Sequence, residues 1–378
     1  MSVERFEQLK AALRFDDPAR RDRDDKLSPV RAIVDRFNQV MRDIYKPNEF
    51  LTIDEMLVEF HGRVTFRQYI PTKPGKFGVK LYWITEATAI PLQVLVFYTG
   101  QSTLTDEEKR EHGGHVPAIV MKLTAPYLDK GRNLTGDNFF SDLSTAEKLL
   151  ERNTTYVGTL RANKRCIPPV AKSIQGRTRG DSKHLYHGNA TICSFWDKAT
   201  KPVNVLSTMH GHQEDLLEGK PEIIGFYNQT KSGVDTLDKL VRTYSSKRKY
   251  RRWPVHIFFT LVDCAAYVGY RMFREQNGNE DETHYHFKKN LAYELCMPFV
   301  QTRSELPGLQ KTVKETMQRV GVVEPAVRPT QPRVGQHTQG RCTHCPREKD
   351  RKSKTVCARC GSFVCREHHV VLCPNCAG

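Results

Sequence analysis

The chain has 378 residues, room for two or three folded units, and its 38% hydrophobic and 9% aromatic side chains exclude wholesale disorder. Lys and Arg total 59 against 43 Asp and Glu, a formal net charge of +16, so the first partner to expect is a polyanion, nucleic acid above all. The opening MSVERFEQLKAALRF mixes charge signs, and the most apolar stretch (253–273) contains His256 and Asp263; neither suits a signal peptide or a membrane span.

Phe6, Leu9 and Leu13 recur at helical spacing. Ser28 reads as an N-cap ahead of Pro29, and Val30, Ile33, Val34, Phe37, Val40, Met41 and Ile44 form one apolar face that ends at Pro47. From Phe50 the pattern turns to strands: LTIDEMLVEF (51–60), GVKLYWITEA (78–87) and IPLQVLVFYTG (90–100), with the loop PTKPGKFG (71–78) between the first two. Residues 106–114 read as a charged loop, 116–128 as a helix, 133–135 as a short strand, 144–150 as a helix and 156–160 as a strand. Three strands, a helix, a strand, a helix and a strand describe a mixed α/β sheet layer. Periodicity fades over 166–221, where ICSFWD (192–197) and VNVLS (203–207) suggest an inserted β-rich lobe. Helical spacing returns at Val234, Leu237, Leu240, Val241 and Tyr244. It continues through 253–273 and a polar stretch at 286–297, then yields to a Pro- and Gly-marked linker.

Seven of the 11 cysteines lie within 342–376, spaced Cys342-x2-Cys345-x11-Cys357-x2-Cys360-x4-Cys365-x2-His368-x4-Cys373-x2-Cys376. In a reducing compartment, four close pairs of soft or borderline donors describe two tetrahedral zinc sites. The spacing resembles cross-brace zinc domains of the RING and PHD type. On that analogy Cys342, Cys345, Cys365 and His368 hold one ion and Cys357, Cys360, Cys373 and Cys376 the other. Sequential pairing, or His369 in place of His368, stays open. So short a segment, poor in large apolar side chains, needs its metals to fold.

A basic chain that performs phosphodiester chemistry must still gather hard oxygen donors for magnesium. Asp54 lies mid-strand between apolar residues, where an unpaired acid is costly. Asp137 follows the strand at 133–135, after Gly136. Asp235 opens a helix after Gly233, with Asp238 on the same face. Each alone could be a salt-bridged, capping or helix N-terminal acid. Together they lie where an RNase H-like nuclease or transposase carries its acids.

More specific are the segments LTIDEMLVEFHGRVTFRQYIPTKPGKFGVK (51–80), TGDNFFSDLSTAEKLL (135–150), TYVGTLRANKRCIP (155–168), GFYNQTKSGVDTLDKL (225–240) and RKYRRWP (248–254). With the Cys-rich tail they make the chain similar, nearly end to end, to piggyBac-type transposases. The resemblance implies an α/β protein: an RNase H-like catalytic domain split by a β-rich insertion, with flanking helices and a C-terminal cross-brace zinc domain. The divisions it suggests are a short helical dimerisation and DNA-binding part (1–49), the catalytic domain (50–165 and 222–245) around the insertion (166–221), a helical DNA-binding part (246–325), a linker (326–340) and the zinc domain (341–378). It also implies Asp54, Asp137 and Asp235 as catalytic acids with Asp238 in support, two Mg2+ (or Mn2+) ions held by them, and two structural Zn2+ ions. The implied reaction is strand cleavage and transfer at TTAA. The implied partners are double-stranded DNA, as transposon ends and target, and a second copy of the chain, in the nucleus and away from membranes.

Candidate DNA contacts are Arg161, Asn163, Lys164 and Arg165 beyond the last strand, Lys73 and Lys76 in the Gly/Pro loop, and Lys247, Arg248, Lys249, Arg251 and Arg252, interleaved with Tyr250 and Trp253. Phosphate contacts of this kind set salt sensitivity more than site choice. Glu55, on the other strand face from Asp54, is expected to be structural. Only about fifty residues precede the first catalytic strand, fewer than in full-length members, so the apolar faces at 6–13 and 30–44 are expected to be under-covered. The alternative function is a truncated or host-adopted derivative that binds DNA or chromatin without transposing. A ubiquitin-ligase-like use of the tail is a distant third.

Overall fold

The strand-forming run that opens at Phe50 becomes β1 (Phe50–Glu59), and its alternation sends Leu51 and Ile53 into one core and Met56 and Val58 into the other. The structure is a computed structural model and describes residues 3–370 except 23, 97–103, 198–200, 212–215, 218, 249, 279–280, 320, 322–338 and 358–359. β2 (Gln68–Tyr69), β3 (Phe77–Glu86) and β4 (Pro91–Val96) follow: β3 lies antiparallel beside β1, and β2 and β4 share its far edge. On the other side of β1 stand two parallel neighbours, β5 (Arg132–Gly136) and then β6 (Thr154–Leu160). This is the mixed layer expected of an RNase H-like domain. The β-rich insertion supplies β7 (Ser182–His187), β8 (Ala190–Phe195) and β9 (Val203–Ser207). Its strands continue the same sheet, because β9 pairs antiparallel with β6 and carries β8 and β7 outward.

Helices cover both faces. α1 (Val3–Ala12) and α2 (Ser28–Ile44) precede the sheet, and α3 (Asp106–His112), α4 (His115–Thr124) and α5 (Leu143–Glu151) cross between strands. Ile119, Val120 and Leu123 of α4 and Ala146 and Leu149 of α5 close one core with Leu134 and Tyr82. After the short α6 (Pro169–Lys172) come α7 (Glu222–Thr230), α8 (Gly233–Thr243) and α9 (Trp253–Asn277). Val234, Leu237 and Val241 of α8, Ile257 and Leu261 of α9, and Val30 and Val34 of α2 close the opposite core around Trp83 and Leu81. None of the described helices is long and apolar enough to cross a membrane.

Two expectations need correction. The charged stretch at 106–114 is largely helix, not loop: Thr105 and Glu108 form a capping box, and Gly113 closes the helix in the left-handed region (φ 82°). The α2 face is covered, since Val30, Val34 and Met41 are buried and the Asn38 amide bridges both backbone groups of Val94 at 2.9 Å. Ile44 at the end of α2 stays 46% exposed, and α1 keeps apolar side chains in solvent as expected, with Phe6 44% and Leu9 46% exposed. Helix α7 was hidden within a stretch of mixed pattern.

The chain divides into two compact units, Met1–Lys288 and Lys289–Gly378. The second holds most of α10 (His284–Ser304), α11 (Lys311–Arg319) and the Cys-rich tail with its small hairpin, β12 (Gly340–Arg341) and β13 (Lys352–Ser353).

Candidate active site and metal centre

Parallel pairing of β1 with β5 places Ile53 opposite Gly136, so the next residue on each strand, Asp54 and Asp137, emerges at the same level of the sheet. Burial pushes the Asp54 carboxyl up to about 7; the backbone N–H of Glu55 opposes this (2.7 Å), and the negative charges of Asp137 and Asp235 add to it. Asp137 is also raised, first by burial, against hydrogen bonds from Phe139 and Phe140 and with a contribution from the Glu55 charge. Its Oδ1 accepts from the Phe139 N–H at 2.8 Å, a local turn that fixes the carboxyl at the strand end. Behind it, Ser141 donates to the Asp137 carbonyl and meets the Tyr156 hydroxyl, both at 2.8 Å. Gly136 makes room for that tyrosine: a Cβ there would lie 2.5 Å from its oxygen. Two acids made reluctant to ionise by burial and by neighbouring negative charge form an all-oxygen site that a hard divalent cation would relieve.

The third acid arrives from the opposite layer. Thr230 at the end of α7 accepts from Thr52 through its carbonyl (2.6 Å) and bonds Thr135 through its hydroxyl (2.8 Å), joining β1, β5 and the helix. Gly233 then presses directly on β3, where a Cβ would meet the Glu86 carbonyl and Thr85 Oγ1 at 2.5 Å, and Asp235 follows two residues on. Asp235 and Asp238 line a cavity of about 690 Å3 with Thr72, Lys73 and Arg242. Asp238 pairs with Arg242 at 2.7 Å, and the same guanidinium donates to the Leu57 carbonyl at 2.8 Å. Lys73 Nζ lies 3.0 Å from Asp235 Oδ1 and 3.2 Å from the Glu55 carbonyl. Burial works against its charge, but the pair with Asp235 outweighs that and keeps its pKa above the usual lysine value. Lys73 contacts Asp235 and its charge acts on Asp54, and the acids do not form one tight cage. Among the described residues, only the tail's Cys/His set brings three or more donors within 4.8 Å of one another.

Two neighbours were not foreseen. Tyr227 of α7 has a phenol raised by burial, against a bond to Thr159, and further raised by the charges of Asp137 and Asp54. Glu55 does face the other side of β1, bound to Lys80 at 2.9 Å, yet its charge reaches Asp137 across the strand end.

The basic candidates separate into groups. Arg161, exposed, bonds Asn138 Oδ1 at 2.7 Å, and its charge acts on Asp137; Lys164 pairs with Asp142 at 2.8 Å; Asn163 and Arg165 are exposed on the same loop. Lys73 points into the acids, whereas Lys76 is exposed with φ 51°. Of the 247–252 run, Arg248 and Arg251 are exposed, Lys247 is half-buried, and Lys249 lies outside the described residues. Arg252 turns away to α1, donating to the carbonyls of Leu13 (2.6 Å), Lys10 (3.0 Å) and Ala11 (3.3 Å).

In the tail, His368 Nδ1 lies 3.6, 3.5 and 3.4 Å from the sulfurs of Cys342, Cys345 and Cys365, and the last two sulfurs are 3.8 Å apart. A tetrahedron with metal–sulfur arms of about 2.3 Å has edges of about 3.8 Å, so the set fits zinc. The first close pair meets the third, as a cross-brace requires. Cys373 and Cys376, assigned with Cys357 and Cys360 to a second ion, lie outside the described residues.

Residues 1–267 match the transposase IS4 family. Two human proteins, piggyBac transposable element-derived protein 3 and piggyBac transposable element-derived protein 2, are 24% and 22% identical over 298 and 291 residues. These alignments cover 73% and 72% of this chain but 49% and 48% of theirs, so the chain spans about half the length of these curated relatives. Among solved structures, a piggyBac transposase synaptic complex with hairpin DNA is 32% identical with a TM-score of 0.77, covering 100% of this chain and 80% of that one.

Proposed function

Because the chain belongs to the piggyBac-type transposases, we propose that it cuts and rejoins DNA strands at TTAA sites in a divalent-metal-dependent reaction. The observation that carries this is the emergence of Asp54 and Asp137 side by side, both with raised carboxyl pKa values, beside Asp235. In this reading Asp54, Asp137 and Asp235, supported by Asp238, hold two Mg2+ or Mn2+ ions. Such ions, when bound, supply Lewis acidity at the attacking and leaving oxygens of an in-line displacement.

The chain's own residues supply the rest. The Phe139 N–H and the Ser141–Tyr156 pair keep the Asp137 carboxyl and its backbone from turning away. The Thr230 junction and the Gly233 contact set where Asp235 enters. Tyr227, kept neutral, is a hydrogen-bond donor next to the acids. The 161–165 loop and exposed Lys76, Arg248 and Arg251 offer positive charge for phosphates, and the hairpin DNA in the similar solved complex supports double-stranded DNA as the partner. Cys342, Cys345, Cys365 and His368 would hold one Zn2+, and Cys357, Cys360, Cys373 and Cys376 a second. Acting on chromosomal DNA would require the chain to work in the nucleus, and joining paired transposon ends would call for two copies. The presence of every acid favours this over a derivative that only binds DNA.

The test is a nicking and joining assay on DNA with the chain's transposon ends flanked by TTAA. Product with Mg2+ or Mn2+ and none with chelator is expected. DNA binding without cleavage in either metal would leave a binding protein.

A further inference from the structure

We infer that Lys73 is a built-in counter-cation of the acid cluster, one that holds Asp235 until a divalent ion binds and must leave for the ion to enter. This rests on the metal-site reading above and adds a competitor to it.

Lys73 is presented to the acids by a tight loop. Ile70 N–H donates to the Lys76 carbonyl (2.7 Å), Lys73 N–H to the Ile70 carbonyl (3.2 Å) and Lys76 N–H to the Lys73 carbonyl (3.0 Å). Lys76 turns the chain back at φ 51°, and Pro71 and Pro74 remove the freedom of the segment between. The result is a side chain only 17% exposed that ends at an aspartate 62% exposed. A surface lysine seeking solvent would do the opposite.

The ammonium stands where positive charge is most needed. It contacts the Asp235 carboxylate and the Glu55 carbonyl, and its charge also acts on Asp54. A divalent ion drawn to Asp235 Oδ1 would stand close to the ammonium 3.0 Å from that oxygen, and the two cations would repel each other at short range. Metal entry is therefore an exchange of cations, and the strength of the Lys73 pair is subtracted from the apparent metal affinity. A lysine suits this role: its stem is flexible and its charge compact, and the side chain lines an open cavity of about 690 Å3 in which it can rotate away from Asp235 Oδ1.

Mn2+ binding to the full chain, followed by the electron paramagnetic resonance of free Mn2+, tests this directly. Lys73→Met is expected to bind Mn2+ about fivefold more tightly than wild type, the worth of one partly exposed ion pair. Lys73→Arg, which keeps the competitor, is expected to show no gain. Equal or weaker binding by Lys73→Met would overturn the inference. Wild-type protein supplies a second measurement that needs no variant to fold. Acetylation of Lys73 by an amine-reactive reagent, read by mass spectrometry, is expected to rise several-fold on adding Mn2+, with Lys80, bound to Glu55, as the internal reference. Unchanged or deeper protection of Lys73 while Mn2+ binds would equally overturn it. If wild type binds no Mn2+, or if Asp137→Asn binds it as well as wild type does, the metal-site reading itself fails.

Discussion

Asp54 and Asp137 sit at the same level of the sheet, one residue past the Ile53–Gly136 pair of the parallel β1–β5 register, and the Asp137 charge adds to burial in raising the Asp54 carboxyl. Removing one charge should therefore separate chemistry from folding. Asp137→Asn is expected to lower strand nicking by at least about 10³-fold, the scale of losing a group that holds charge in the transition state. Its melting temperature in chelator should stay at or above the wild-type value, because a buried like charge has been removed. Nicking that survives the substitution would remove Asp137 from the catalytic set.

A pH dependence follows from the same pair. With a folded-state Asp54 pKa of about 7, the folded chain keeps a proton that the unfolded chain gives up near the ordinary aspartate value. Between these two values the unfolded state binds fewer protons, so stability falls as pH rises. Below the unfolded value both states are protonated and the effect vanishes; above about 7 the loss is complete. In chelator, the melting temperature should thus decline from pH 4 toward pH 7 more steeply for wild type than for Asp54→Asn. Mn2+ affinity should rise over the same window, since the ion displaces that proton. Parallel melting profiles for the two proteins would contradict this environment for Asp54.

The tail yields a test independent of DNA. The 378-residue chain is expected to carry two zinc ions, and Cys365→Ser, which removes one of four gathered donors, should leave one. Limited proteolysis should then cut within 341–370 at protease levels that spare wild type. Unchanged zinc content would show that Cys365 is not a ligand.

Much of this was legible because it depends on local chemistry. Alternation from Phe50 onward showed the strands, an acid set between apolar neighbours marked Asp54, and a place just past a short strand marked Asp137. Cys-x2-Cys spacing marked the tail. What escaped depends on partners far away in sequence. Lys73 looks like any loop lysine until Asp235, 162 residues later, folds against it. Arg252 sits in the densest basic run, yet its partners are carbonyls some 240 residues earlier. The pairing of β9 with β6 depends on a β-rich segment finding an open sheet edge, for which periodicity has no signal. The capping box at Thr105 and Glu108 was visible in principle, but the surrounding charge made the segment look like a loop.

The two adjacent arginines, alike in sequence, should behave differently. Arg251→Ala, from an exposed position, is expected to reduce DNA affinity and to lower the slope of log affinity against log salt by about 1, leaving stability unchanged. Arg252→Ala removes a charged donor from three carbonyls at and just beyond the α1 C-terminus and should cost about 1–2 kcal/mol of α1 docking, seen as faster amide exchange in Val3–Ala12. A salt slope that changes for Arg252→Ala but not for Arg251→Ala would reverse these assignments.

Gly233 decides whether the third acid reaches the first two. Its Cα lies so close to β3 that an added methyl would stand 2.5 Å from the Glu86 carbonyl and Thr85 Oγ1, and 2.9 Å from Thr52 Oγ1. The two atoms in nearest contact belong to buried residues at the end of β3, so the relief has to come from α8, whose first turn would lift from the sheet. Overpacking of this kind costs about 1–3 kcal/mol. The lift also carries Asp235 outward, away from Asp54, while Asp54 and Asp137 stay paired through the β1–β5 register. Gly233→Ala should therefore lose more nicking activity than its loss of stability explains at a temperature where it remains folded, and its Mn2+ affinity should drop with it. A variant that is less stable but retains wild-type metal affinity would show that α8 can shift without moving the acid.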